Sequence, residues 1–160
     1  MINCFFENND KTFLRHVTVN AIVIKNGQVL LGKRGTYNGK PILESGKWGL
    51  LGGFFNRDEN LSQAIKREVL EESGWEIGGL QLLRINDNPN RPKEDRQNVD
   101  IIFVANAVKQ TKTSDEEVSK LQWFDLDKLP PKEEIAFDHG NALELYKKYL
   151  KEKFTLPVLG

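Results

Sequence analysis

Glu68, Glu71 and Glu72 fall three and four residues apart, the spacing that brings side chains together on one side of a helix. Three like charges gathered this way repel, and near a helix C-terminus the backbone dipole adds about 0.3–1 kcal/mol of disfavour to each exposed anion. Carboxylates bunched against an apolar face need neutralising partners. A hard divalent cation such as Mg²⁺ meets that need, because it accepts a few carboxylates, keeps several waters and leaves room for phosphate oxygens. Paired with Lys66 and Arg67, the same glutamates would instead form an ordinary solvated acidic face. Spacing alone does not choose between the two.

The element that positions them is a helix over 61–73. Asn60 can cap its first free amides, with Gln63 at the capping-box position, and Gly74 falls where a left-handed residue ends a helix. Leu61, Ala64, Ile65 and Val69 form the apolar stripe, and that stripe, continued, meets the three glutamates.

The whole stretch from Gly53 to Trp75, GFFNRDENLSQAIKREVLEESGW, resembles the signature of the Nudix hydrolases, G-x5-E-x7-R-E-U-x-E-E-x-G-U with U a bulky apolar residue. Gly53, Glu59, Arg67, Glu68, Val69, Glu71, Glu72, Gly74 and Trp75 meet its constrained positions. Trp75 is aromatic where an aliphatic residue is usual, and Asp58 stands where many relatives have Gly. Just upstream, Trp48-Gly49-Leu50-Leu51-Gly52-Gly53 is similar to the family's W-x-x-P-G-G with Leu51 in place of Pro, a change that relaxes a turn and removes no catalytic group.

The 160 residues suit a single domain over 1–160, with the resemblance running from about 14 to 152. With 29% charged and 39% hydrophobic residues the chain reads as soluble and globular. Lys plus Arg balances Asp plus Glu at 23 each, so no general polyanion-binding surface is expected and nucleic acid is a poor candidate partner. Cys4 is the single cysteine and supports neither an internal disulfide nor a structural zinc site. No apolar run is long enough to span a membrane, and MINCFFENND does not read as a signal peptide. The expected location is the cytoplasm.

In chain order, Phe5 and Phe6 are the anchors of a turn-rich start and are expected to pack on the core. Asn26-Gly27 divides a Val- and Ile-rich run into two antiparallel strands, about 15–25 and 28–34. Residues 35–46 form a punctuated loop containing Tyr37, a candidate base-stacking side chain. Trp75 to Ile85 suits a strand. The polar segment 86–97 reads as a mobile flap whose Arg91, Lys93 and Arg96 could meet an anionic substrate. Val99 to Val108 is the most continuously apolar run and should be a central strand buried on both faces. A short strand at 121–124 and an amphipathic helix at about 141–151 complete the elements. Strands combined with a central and a terminal helix indicate an α/β domain.

The resemblance implies more: a Nudix fold, with a mixed, curled β-sheet sandwiched between α-helices, and cleavage of the pyrophosphate in a nucleoside diphosphate linked to a moiety X, giving a nucleoside monophosphate and phospho-X. It implies Mg²⁺, with Mn²⁺ as a substitute, held by Glu68, Glu71, Glu72 and the carbonyl of Gly53. Glu68 or a loop glutamate, Glu117 or its neighbour Glu116, would be the general base. Arg67 paired with Glu59 would hold the loop against the helix, and Arg34 would approach the substrate's phosphates. The run Asn88-Pro89-Asn90-Arg91 is similar to members acting on ADP-ribose, which makes ADP-ribose or another nucleotide sugar the leading substrate. Nucleoside triphosphates and a non-catalytic nucleotide sensor are the alternatives. Many relatives are dimers, so a homodimer is a candidate assembly, and the oligomeric state stays open.

Overall fold

The computed structural model describes residues 2–91 and 97–160. Its strands are β1 (Ile2–Phe5), β2 (Lys11–Leu14), β3 (Val17–Lys25), β4 (Gln28–Arg34), β5 (Thr36–Tyr37), β6 (Lys40–Pro41), β7 (Trp48–Gly49), β8 (Leu51–Phe54), β9 (Trp75–Asn86), β10 (Val99–Gln110), β11 (Val118–Asp125) and β12 (Val158–Leu159). The helices are α1 (Leu61–Ser73) and α2 (His139–Lys151).

The main sheet runs β11-β4-β3-β10-β9-β12, with β7 added on β4 and β8 on β3. It is mixed: β10 lies parallel to β3 and antiparallel to β9, while β12 lies parallel to β9. The β3–β4 hairpin turns at Asn26-Gly27, both at positive φ, as that dipeptide demands. β10 sits between β3 and β9, and residues 102–105 are buried on both faces.

Each face of the sheet carries one helix and one core. Beneath α1, Ala64, Ile65 and Val69 pack with Val19, Ala21, Val23, Leu30, Leu51 and Phe103. Beneath α2, Ala142, Leu143 and Tyr146 pack with Ile22, Val29, Leu31, Leu83 and Ile102. The alternation of β3 side chains between the two cores follows from the period of two along a strand. This is the expected sheet sandwiched between helices, and no helix among the described residues is long and apolar enough to cross a membrane.

Several boundaries and roles differ from expectation. The chain start is a β1–β2 hairpin, and Phe5 and Phe6 are 69% and 50% exposed rather than packed on the core. Phe5 ends β1 and Phe6 opens the turn after it, and neither position in this small separate hairpin is covered by the main sheet. α2 begins at His139, two residues early, with Asp138 in the capping position. The tail docks on the body as β12.

Candidate active site

α1 is capped as its ends predict: Asn60 Oδ1 accepts from the Gln63 N–H, Gln63 Oε1 accepts from the Asn60 N–H, and Gly74 closes the helix at φ 70°. The glutamates at its far end differ sharply in environment. Glu72 is buried, Glu68 nearly so, and the Glu71 side chain is 45% exposed. Arg67 gathers the outer carboxylates. Its guanidinium donates to Glu59 Oε2 and Oε1 at 2.9 and 2.7 Å, to Glu68 Oε1 at 2.7 Å and to Glu71 Oε2 at 3.0 Å. A further bond to the carbonyl of Phe54 at 3.1 Å ties the signature loop to the helix. These partners, Glu59 foremost, raise the Arg67 pKa further, and Arg67 in turn holds Glu59 below the usual carboxylate range.

Glu68 and Glu72 come against β8 where it has no side chains. A Cβ on Gly53 would lie 2.6 Å from Glu68 Oε2, and one on Gly52 would lie 2.0 Å from the Val19 carbonyl. Gly52 donates its N–H to Glu72 Oε2 at 2.7 Å. Burial pushes Glu72 well above the ordinary carboxylate range despite that bond, and burial likewise raises Glu68.

These residues border a cavity of about 570 Å³, a size that suits a nucleotide. Gly52, Gly53, Glu68, Glu72 and Glu117 form one wall. Thr18, Asn20, Arg91, Asn98 and His139 line another part, and Arg34, Tyr37, Leu43, Phe54 and Phe137 stand around them. Burial, then the charge of Asp115, raises Glu117.

The NUDIX domain family profile matches residues 14–146. The chain belongs to the Nudix family. It is 28% identical to an ADP-ribose pyrophosphatase of Methanocaldococcus jannaschii over 133 residues, covering 83% of this chain and 73% of that one. It is 34% identical to an oxidized purine nucleoside triphosphate hydrolase of Danio rerio over 109 residues, 68% of this chain and 65% of that one. Among solved structures, the NUDIX domain of Shewanella oneidensis NrtR complexed with ADP ribose superposes with a TM-score of 0.66 at 26% identity, covering 86% of this chain and 89% of that one. The signature reading therefore holds, and the chain is a Nudix pyrophosphohydrolase.

The two loop glutamates differ in surroundings. Glu117 lines the cavity, whereas Glu116 accepts from the Asn38 N–H at 2.7 Å and so holds the β5–β6 turn. Both sit in the turn just before β11, and their shared charge hid which one faces the cavity.

Arg34 lines the cavity, with its Nε donating to the Leu43 carbonyl at 2.7 Å and its guanidinium 5.0 Å from the Phe137 ring centre. Arg91 also reaches the cavity, but from a buried position unlike the solvated flap expected of it. It bonds Asp138 Oδ1 at 2.7 Å and Oδ2 at 3.1 Å, and stands 3.6 Å from Asp100. Lys93 and Arg96 lie outside the described residues.

Sequence reading missed the polar layer around Arg91. Asn86 donates to Asp138 Oδ2 at 2.7 Å, and His139 Nδ1 accepts from the Leu50 N–H at 3.0 Å. Burial opposes ionisation of Asp138, but the bonds and charge of Arg91 hold it below its usual range. Burial drives His139 down to about 3. The one signal was Asp100, an acid inside the run VDIIFVA.

Among the described residues no three acidic, histidine or cysteine side chains already converge as an ion cage. The donor set nonetheless fits a hard divalent cation. It is all oxygen, with Glu68, Glu72 and Gly53 lining the cavity and Glu71 held beside Glu68 by Arg67. Carboxylates raised by burial are stabilised by a positive charge among them.

Proposed function

We propose that this Nudix enzyme hydrolyses the pyrophosphate of a nucleoside diphosphate joined to a sugar, with ADP-ribose the leading substrate, yielding a nucleoside monophosphate and a sugar phosphate. The observation that carries the reading is one cavity lined by the acidic oxygens of Glu68, Glu72 and Glu117, by the polar Thr18, Asn20 and Asn98, and by the aromatic Tyr37, Phe54 and Phe137. Such a shape separates the bond to be cut from the group that identifies the molecule. The ADP-ribose pyrophosphatase and the ADP ribose complex among the relatives support it.

Glu68, Glu71, Glu72 and the Gly53 carbonyl would hold Mg²⁺, or Mn²⁺ in its place. The ion would offset the negative charge of the pyrophosphate and polarise its phosphoryl oxygens. Arg67 keeps Glu68 and Glu71 in position and Glu59 keeps Arg67 in position. Burial raises the proton affinity of both Glu68 and Glu117; Glu117 is the proposed general base because Glu68 Oε1 is engaged by Arg67 at 2.7 Å. Arg34 would meet the substrate's phosphates, and Arg91 would shape the cavity from its anchored position. Arg96 keeps its proposed role as a phosphate contact from the flap.

Phosphorus NMR of products from ADP-ribose, other nucleotide sugars, nucleoside triphosphates and dinucleotides, with Mg²⁺ present, tests the assignment. Adenosine monophosphate and ribose phosphate from ADP-ribose are expected. Pyrophosphate released from triphosphates alone would favour the pool-sanitising reading, which the 34% identity to the Danio rerio enzyme supports. No turnover with either metal would favour a nucleotide sensor.

A further inference from the structure

The cavity floor carries a polar row where packing calls for apolar side chains. Thr18 and Asn20 share a face of β3 with Ile22, and Asp100 shares a face of β10 with Ile102. Ile22 and Ile102 both belong to the core beneath α2. Asp100 is wholly buried. Its Oδ1 accepts from the Thr18 hydroxyl at 3.0 Å and the Asn20 amide at 2.7 Å. Among the described residues its Oδ2 makes no hydrogen bond, and it lies 3.6 Å from Arg91. Burying a carboxylate is costly even when a cation stands near. Apolar residues at 18, 20 and 100 would extend the core without that cost, so sheet packing does not account for the row.

Orientation does account for it. An ionised Asp100 only accepts, so the Asn20 NH₂ must face it and the Asn20 carbonyl oxygen must turn the other way. That oxygen lies toward Gly52, 2.8 Å from where a Cβ on that glycine would stand. The Thr18 proton is spent on Asp100, which leaves its lone pairs for another donor. Both side chains line the cavity, and Asn20 pairs in register with Gly52, whose N–H holds Glu72. Two fixed acceptors therefore stand directly beside the acidic wall. In a nucleotide sugar the hydrogen-bond donors nearest the pyrophosphate are ribose hydroxyls.

We infer that Asn20 and Thr18, oriented by Asp100, are specificity-determining residues that accept hydrogen bonds from the hydroxyls of a ribose joined directly to the pyrophosphate. This rests on the nucleotide-sugar reading above. Asp100 is a positioning residue that acts through Asn20 and Thr18. A polar site built for a hydroxyl discriminates against an analogue lacking it far more strongly than an apolar pocket discriminates by size.

The test measures kcat/KM for ADP-ribose and for two analogues, one lacking the vicinal hydroxyl pair of the nucleoside ribose and one lacking that of the terminal ribose. Wild type is compared with Asn20→Leu, Asp100→Asn and the near-isosteric Thr18→Val, with thermal unfolding confirming that each variant is folded. Wild type is expected to favour ADP-ribose over one analogue by about tenfold or more. That ratio should fall toward one in the folded variants, and the analogue concerned names the ribose that is read. Wild-type ratios near one on both arms, or ratios unmoved in folded Thr18→Val, overturn this inference alone. Failure of wild type to hydrolyse any nucleotide sugar overturns the underlying reading, and this one with it.

Discussion

Glu72 accepts the backbone N–H of Gly52 at 2.7 Å across 20 residues of sequence, and this bond locks the end of α1 to the glycine strand. Replacing Glu72 with Gln keeps the side chain's shape and an acceptor for that N–H but removes the charge. Turnover should fall by at least about a hundredfold, the scale seen when a metal site loses part of its support. Thermal unfolding should change little. Unaltered turnover in steady-state assays would remove Glu72 from the metal site.

Gly52 lies at φ 150°, and a Cβ there would meet the Val19 carbonyl at 2.0 Å. Gly52→Ala should cost more than about 2 kcal/mol in denaturant unfolding, through forced backbone displacement. Gly53→Ala would push against the Glu68 carboxylate instead, so it should depress kcat more than stability.

Arg67 serves Glu59, Glu68 and Glu71 with one planar fork. Arg67→Lys retains the charge but not the geometry. A loss of about 10–100-fold in kcat is expected, with a matching rise in the Mg²⁺ concentration needed for half-maximal rate. Arg67→Ala should lose more on both readings.

Glu117 and its neighbour separate in a paired experiment. Glu117→Gln should lower kcat by about 10²–10⁴-fold as a general base is removed. Glu116→Gln leaves the cavity wall intact and disturbs only the β5–β6 turn, so its kcat should stay within a few-fold of wild type. Equal losses would contradict the division.

His139 gives the fold a pH dependence of definite sign. Its pKa falls from 6.5 to about 3 on folding because burial disfavours its charged form, so the unfolded chain binds a proton that the folded chain refuses. The contribution is fully present above pH about 6.5 and is lost as pH falls toward 3. Wild type should therefore lose melting temperature more steeply than His139→Gln between pH 6.5 and 4. Parallel curves would show that His139 does not titrate as its burial dictates.

Much of this was readable from residue types at fixed spacing. The caps of α1 were expected because they are local, and the Arg67–Glu59 pair because the resemblance implies it; the structure shows both. The strands of the β3–β4 hairpin followed from Asn26-Gly27 and alternation. What escaped depends on partners far apart in sequence. Arg91 looked like a solvated flap residue because its neighbours are polar, yet Asp138, 47 positions away, draws it inside. Asp100 sat unnoticed in an apolar run because hydrophobic pattern reports burial and says nothing of why one polar residue is buried. Phe5 and Phe6 misled in the opposite sense, since apolar identity does not guarantee a covering surface.

The two cores beneath α1 and α2 support different elements that line the cavity: α1 carries Glu68 and Glu72, and α2 begins at His139. One underpins the glutamates proposed to hold the metal; the other underpins the start of α2, where Asp138 anchors Arg91 at the cavity. Damage to packing on the α1 side should therefore slow cleavage of every substrate alike, whereas repacking on the α2 side can redirect selection while leaving the cutting machinery in place. A scaffold partitioned in this way lets selectivity drift independently of catalytic competence.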